Sequence, residues 1–202
     1  MKRFIIVFCL FVLFAATLYA DEFIISEIQC YADNGVGIND EEINFKYDDE
    51  SNVYYLQRST FLDSYWFYIY PSDLEKLRAN LAKAKEWSKI AKDNKVDVTK
   101  EIPNSTISIE ATMKSSNDWY HTRRNIPLKF FFVADMEEQI CMFIIKGGVQ
   151  KSLKNEYIEI EFEDLIFVED QIDDFIDAIS PETIEKAIAK HQQKKKSSEL
   201  FQ

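Results

Sequence analysis

The stretch SYWFYIYPSDLEKLRANLAKAKEWSKIAKDNK, residues 64–95, changes its hydrophobic period halfway along. Ser64 to Tyr70 reads as a short, aromatic-rich extended run. From Pro71 onward the apolar residues Leu74, Leu77, Leu81, Ala84, Trp87 and Ile90 recur at steps of three and four. That spacing lays them along one side of an amphipathic helix. Ser72 and Glu75 stand three apart near its start, the spacing of a capping box that satisfies the orphan amides of a first turn. A strand that feeds directly into a long helix places the chain in a mixed class, α+β.

Three further period-2 runs precede this junction: FIISEIQCYA (23–32), EINFKYD (42–48) and NVYYLQR (52–58). Ile43, Phe45 and Tyr47 alternate with Asn44, Lys46 and Asp48, as a strand with one wet face requires. Short polar gaps between the runs predict an antiparallel meander. The pattern returns after the helix, with strand candidates STISIEATMKS (105–115), LKFFFVAD (128–135), EQICMFIIK (138–146) and EYIEIEFEDLIFV (156–168). The acids of the last run, Glu159, Glu161 and Glu163, read as its wet face. A second helix follows at EDQIDDFIDAIS, with Ile172, Phe175, Ile176 and Ile179 on one side. Shifting the chain by 98 residues lays Leu74, Leu77 and Leu81 on Ile172, Phe175 and Ile179. Ser180 and Pro181 then supply an N-cap and a first helical residue for a last helix carrying Ile184, Ala187 and Ile188. The expected fold is therefore α+β, antiparallel sheets with helices, arranged as two ββββα halves plus a C-terminal helix. The halves span 21–100 and 101–192, as one domain or two, and 193–202 reads as a basic frayed tail.

In element order alone this layout resembles the repeat of PUR-type nucleic-acid-binding domains, with no shared motif. The resemblance implies nucleic-acid binding, and the charge speaks against it. The chain carries 24 basic and 35 acidic residues, and the formal charge is −11. Such a body repels phosphate backbones and anionic membrane surfaces.

MKRFIIVFCLFVLFAATLYADE opens the chain with Lys2 and Arg3, an apolar run from Phe4 to Phe14, and small residues ending at Ala20. This is the layout of a secretory signal peptide over 1–20. An uncleaved anchor helix is the competing reading, because the apolar stretch just reaches the lower limit of a membrane span. Cleavage would remove Lys2 and Arg3 and leave 22 basic against 35 acidic residues, a balance of −13. The expected location is periplasmic or secreted, with no stable membrane insertion after cleavage. In an oxidising compartment Cys30 and Cys141 could close a disulfide, and two buried free thiols fit the same pattern.

Motifs for chemistry are scarce. YADNGVGINDEE, residues 31–42, holds two of the four glycines. A calcium loop opening at Asp33 would need side-chain oxygens at Gly35 and Gly37, and a phosphate cradle would need a following helix. The segment reads instead as a hairpin loop. No HExxH, CxxC or GxSxG occurs, and His121 and His191 lie far apart, so no metal or cofactor is expected. The one segment that departs from the acidic trend is NDWYHTRRN, residues 117–125. It groups Trp119, Tyr120, His121, Arg123 and Arg124, the aromatic and guanidinium chemistry of contact surfaces. The functional expectation is an exported, non-enzymatic binding or scaffold module for an unknown protein or small ligand. A carboxylate-based hydrolase with its cleft between the halves, or a carrier of a small apolar ligand, are the alternatives.

Overall fold

The computed structural model describes residues 22–33, 35–59, 63–103, 106–115, 118–122 and 126–200. The leader expected over 1–20 lies outside them, as do Arg123 and Arg124. Four long strands come first: β1 (Glu22–Asp33), β2 (Ile38–Asp48), β3 (Val53–Ser59) and β4 (Asp63–Ile69). The long helix α1 (Pro71–Asn94) follows. Next come β5 (Val98–Glu101), β6 (Ile107–Ser115), β7 (Asp118–His121), β8 (Ile126–Asp135), β9 (Ile140–Lys146), β10 (Gly148–Lys151), β11 (Glu159–Phe162) and β12 (Asp164–Val168). Helices α2 (Glu169–Ala178) and α3 (Pro181–Glu199) complete the chain, so the expected tail is helical through Glu199.

All pairings are antiparallel. The main sheet has ten strands in the order β5-β8-β9-β12-β1-β2-β3-β4-β6-β7, and β8 also pairs with β6. That extra pairing closes a ring of eight strands, which removes the open edges a flat sheet would present. The ring has two short seams. β12 meets β1 only at Leu165, Ile166 and Asp164, and β6 meets β8 only from Ile107 to Ile109. Past that seam β5 takes over the same edge of β8. Between the seams lie a long run, β1-β2-β3-β4-β6, and a shorter one, β8-β9-β12.

Alternate residues of every ring strand face inward, where Ile28, Phe45, Leu56, Phe67, Ile109, Phe130, Phe143 and Phe167 are all buried. The helices pack on this inner face. Phe130, Phe143, Phe167 and Phe175 form a chain of ring contacts at 5.6, 6.2 and 4.8 Å that ties β8, β9 and β12 to α2. Trp87 of α1 meets Phe132 edge-on at 5.9 Å. Leu74, Leu77, Leu81 and Ala84 of α1 are buried, as are Ile172, Phe175 and Ile179, whereas Ile90 at the far end of the first predicted stripe is exposed. The two helices run antiparallel: Arg78 Nε donates to Ile179 O at 2.6 Å, Lys85 pairs with Asp173, and Lys92 pairs with Glu169.

The expected Ser72–Glu75 capping box does not form. Helix α1 starts at Pro71 with Tyr70 as its N-cap, which puts Ser72 inside the first turn. The Ser180 cap does form, its Oγ accepting from Thr183 N at 3.2 Å. The 33–38 segment is a hairpin loop, with Gly35 at φ +77° and Asp33 Oδ1 accepting from its amide at 2.8 Å.

The run expected as one strand over 156–168 is two. β11 pairs with β10 in a separate hairpin, and after Glu163 the chain turns into the ring as β12. Gly147 makes this crossing feasible: a Cβ there would overlap the backbone oxygens of Phe162 and Glu163. The turn carries Phe162 inward against Tyr65 and Phe67, at 5.8 and 5.1 Å, where it plugs one end of the ring. It also aims Glu163 inward, while Glu159 and Glu161 stay exposed as expected.

Candidate functional site

Residues on the outer face of the long run are set by the same alternation. The register aligns Asn44, Gln57, Trp66, Thr112 and His121 in one row across β2, β3, β4, β6 and β7. A second row runs through Ser59, Ser64, Lys114 and Trp119. The sequence-predicted cluster divides accordingly. Trp119 and His121 point outward and are exposed, whereas Tyr120 has the opposite parity and packs against the core. Arg123 and Arg124 are outside the described residues, so the cluster is seen only in part.

Trp119 leans across β6 to meet Trp66 at 5.1 Å, with the rings tilted by 30°. His121 lies nearly parallel to Trp119 at 6.4 Å, and Lys114 Nζ sits 5.6 Å from the indole. Thr112 Oγ1 stands 2.9 Å from His121 Nδ1 and fixes the imidazole. Trp119 keeps 42% of its surface in water despite these contacts. Rigid rings that give area at low entropy cost are what a contact surface needs.

Beside the rings the face is polar and concave. A groove of about 440 Å³ is lined by Gln29, Asp40, Glu41, Glu42, Asn44 and Ser59. Gln29 Nε2 donates to Glu42 at 2.8 Å, and Ser64 Oγ donates to Ser59 Oγ at 3.2 Å. Asn44 Oδ1 is buried with no hydrogen-bond partner among the described residues. Such an acceptor costs free energy until something donates to it.

A charged cluster lies inside the ring below this groove. Arg58 is 5% exposed, donates to Glu41 Oε1 at 2.9 Å, and has Glu163 Oε2 2.9 Å from its other terminal nitrogen. The guanidinium also faces the Tyr65 ring at 5.8 Å. Burial lowers the Arg58 pKa and the two carboxylates raise it, with the net shift upward, so the group stays charged. The cluster brings two carboxylates together, and the single guanidinium between them offsets one of their two negative charges. That suits a brace between β2, β3 and the β11–β12 turn.

Cys30 and Cys141 are both buried and unbonded, so the disulfide that the sequence permits is not formed. They lie on β1 and β9, which flank β12. Two interstrand steps separate them by about 9–10 Å, beyond the roughly 7 Å that a disulfide spans between Cα atoms. Burial pushes the Cys30 thiol up to about 12. Among the described residues no group of three His, Cys, Asp or Glu side chains could hold a metal ion. No described helix is long and apolar enough to cross a membrane.

Trp66, Asn44 and Gln57 were not singled out by sequence. The available signal was that SYWFYIY is aromatic on both parities, so a half-buried strand must place Trp66 and Tyr68 outside if Tyr65, Phe67 and Ile69 are inside. Neither protein-family models, curated proteins nor solved structures match this chain.

Proposed function

We propose that the chain is an exported, non-enzymatic binding module whose contact surface is the outer face of β2-β3-β4-β6-β7. The observation that carries the reading is Trp119, an indole held against Trp66 and His121 yet 42% exposed. A ring used only for packing would be turned inward, as Phe67 and Phe162 are. The lysine–arginine, apolar-run and small-residue layout of residues 1–20 supports export. A carrier of small apolar ligands has less to stand on: the void among Leu56, Phe67, Leu128, Ile145 and Leu165 is about 10 Å³. The hydrolase alternative also has less to stand on: the two carboxylates that converge, Glu41 and Glu163, are bridged by Arg58 as a brace.

The same reading takes the two halves as equivalent units. Four ring strands precede α1 and four precede α2, and the 98-residue shift superposes their buried stripes.

The test is a binding comparison on labelled full-length protein and the surface material of its native host. Trp119→Ala should lose most of the retained signal with its thermal midpoint unchanged. Retention equal to the parent's, together with a large fall in midpoint, would return Trp119 to a packing role.

A further inference from the structure

We infer that the ligand of this face is an uncharged oligosaccharide; the inference rests on the binding reading above and narrows it to one chemistry. The face carries groups that both donate and accept: the carboxamides of Asn44 and Gln57 and the hydroxyl of Ser59. A sugar hydroxyl does the same, so the two sets can satisfy each other in either direction. A phosphate or sulfate wants donors alone, and an ammonium or guanidinium wants acceptors alone. Asn44 lines the groove, and its Oδ1 is buried without a partner among the described residues.

The rings supply the other half of the recognition. One side of a pyranose presents C–H bonds rather than hydroxyls. Those weakly positive hydrogens are attracted to the negative face of an indole. Trp119 and Trp66 together make a platform wide enough for one sugar ring, and His121 extends it along β7. The charge agrees. Asp40, Glu41 and Glu42 line the groove, and Lys114 sits beside the indole at the other end of the face. Those carboxylates repel phosphate and sulfate and accept from sugar hydroxyls, which favours an uncharged ligand over an anionic one. A single-stranded nucleic acid would also stack on the indoles, but it needs a basic track for its phosphates, and the described part of the face sets Asp40, Glu41 and Glu42 against Lys114. An apolar peptide would need apolar pockets, and the groove lining is amide, hydroxyl and carboxylate.

Length favours an oligomer. From β2 to β7 the face crosses four interstrand steps, about 19 Å at ordinary strand spacing. That is several sugar rings end to end, with one on the indoles and others in the groove.

The experiment is a titration of the full chain, followed by tryptophan fluorescence and calorimetry, with three neutral probes: cellohexaose, chitohexaose and maltohexaose. A sulfated heparin hexasaccharide and a single-stranded oligothymidine are the charged counter-probes. At least one neutral probe should bind saturably, with an affinity that does not fall as salt rises. Trp119→Ala and Asn44→Ala should each weaken it by about tenfold or more, the size expected of a central contact. Trp119→Phe, which keeps a ring, should recover part of the loss. Absence of binding by all three neutral probes would overturn the inference, as would binding that Trp119→Ala leaves unchanged. Salt-sensitive binding of a charged probe alone, weakened by Trp119→Ala, would also overturn it while keeping the contact face. Loss of both would show as no probe bound and no effect of Trp119→Ala on host-surface retention.

Discussion

Trp66 and Phe67 are adjacent on β4 and belong to different parts of the molecule. Phe67 points into the ring, where it meets Phe162 and is buried. Trp66 points out, where it meets Trp119 on the polar face. Along the whole long run the inner residues are aliphatic or aromatic and closely packed, apart from the Arg58 cluster. The outer residues are amides, hydroxyls, stacked rings and charged side chains such as Glu42, Lys46 and Lys114. One sheet is thus a core on one side and a candidate recognition surface on the other, and strand parity alone decides which residue serves which purpose. The difference also predicts how substitutions divide: inner changes act on stability, outer changes on binding.

The largest inner effect is expected at Arg58. Arg58→Met leaves Glu41 and Glu163 without their counter-charge in a mostly buried setting and should cost about 3–5 kcal/mol by chemical denaturation. A cost near zero would mean that water reaches the cluster freely. Leu77→Ala removes a fully buried side chain from α1 and should cost about 2–5 kcal/mol. A change below about half a kcal/mol would place that helix face at the surface instead.

A smaller effect is expected where α1 meets α2 in water. The Lys92 ammonium, with help from Ser88, holds the Glu169 carboxyl below its usual value, and Glu169 holds the Lys92 pKa up. A lowered carboxylate value adds stability above the ordinary Glu range, and that stability is lost as pH falls through the lowered value. A raised lysine value adds stability below 10.5, lost as pH climbs through the raised value. The pair is exposed, so solvent screening limits it to at most about 1 kcal/mol between those limits. Glu169→Gln should flatten the acid limb of the stability profile by that amount. An unchanged acid limb would remove the pair from the account.

The local parts of this fold were legible in the chain. The Leu74–Leu77–Leu81 stripe, the alternation at Ile43–Phe45–Tyr47 and the Ser180–Pro181 cap each depend on neighbours within one element. Ring closure was not, because the β6–β8 and β12–β1 seams are contacts of three residue pairs between distant segments. The strands β5, β7 and β10 have four residues each, too few to display a period. Glu163 looked like the continuation of a wet face at Glu159 and Glu161. Its inward turn follows from Gly147, sixteen positions earlier, which permits the close crossing. The candidate site was half legible: Trp119 and His121 stood out by composition, whereas Asn44, Gln57 and Trp66 join them only through register. Ser72 and Glu75 had the spacing of a cap, but Pro71 already starts the helix and leaves Ser72 two positions too deep.

Thermal and chemical unfolding of Trp119→Ala tests the division between the two faces most directly. The account places this indole on the outside, so the variant should lie within about 0.5 kcal/mol of the parent, as surface changes do. A loss of about 3–5 kcal/mol, the cost of truncating a core aromatic, would contradict it.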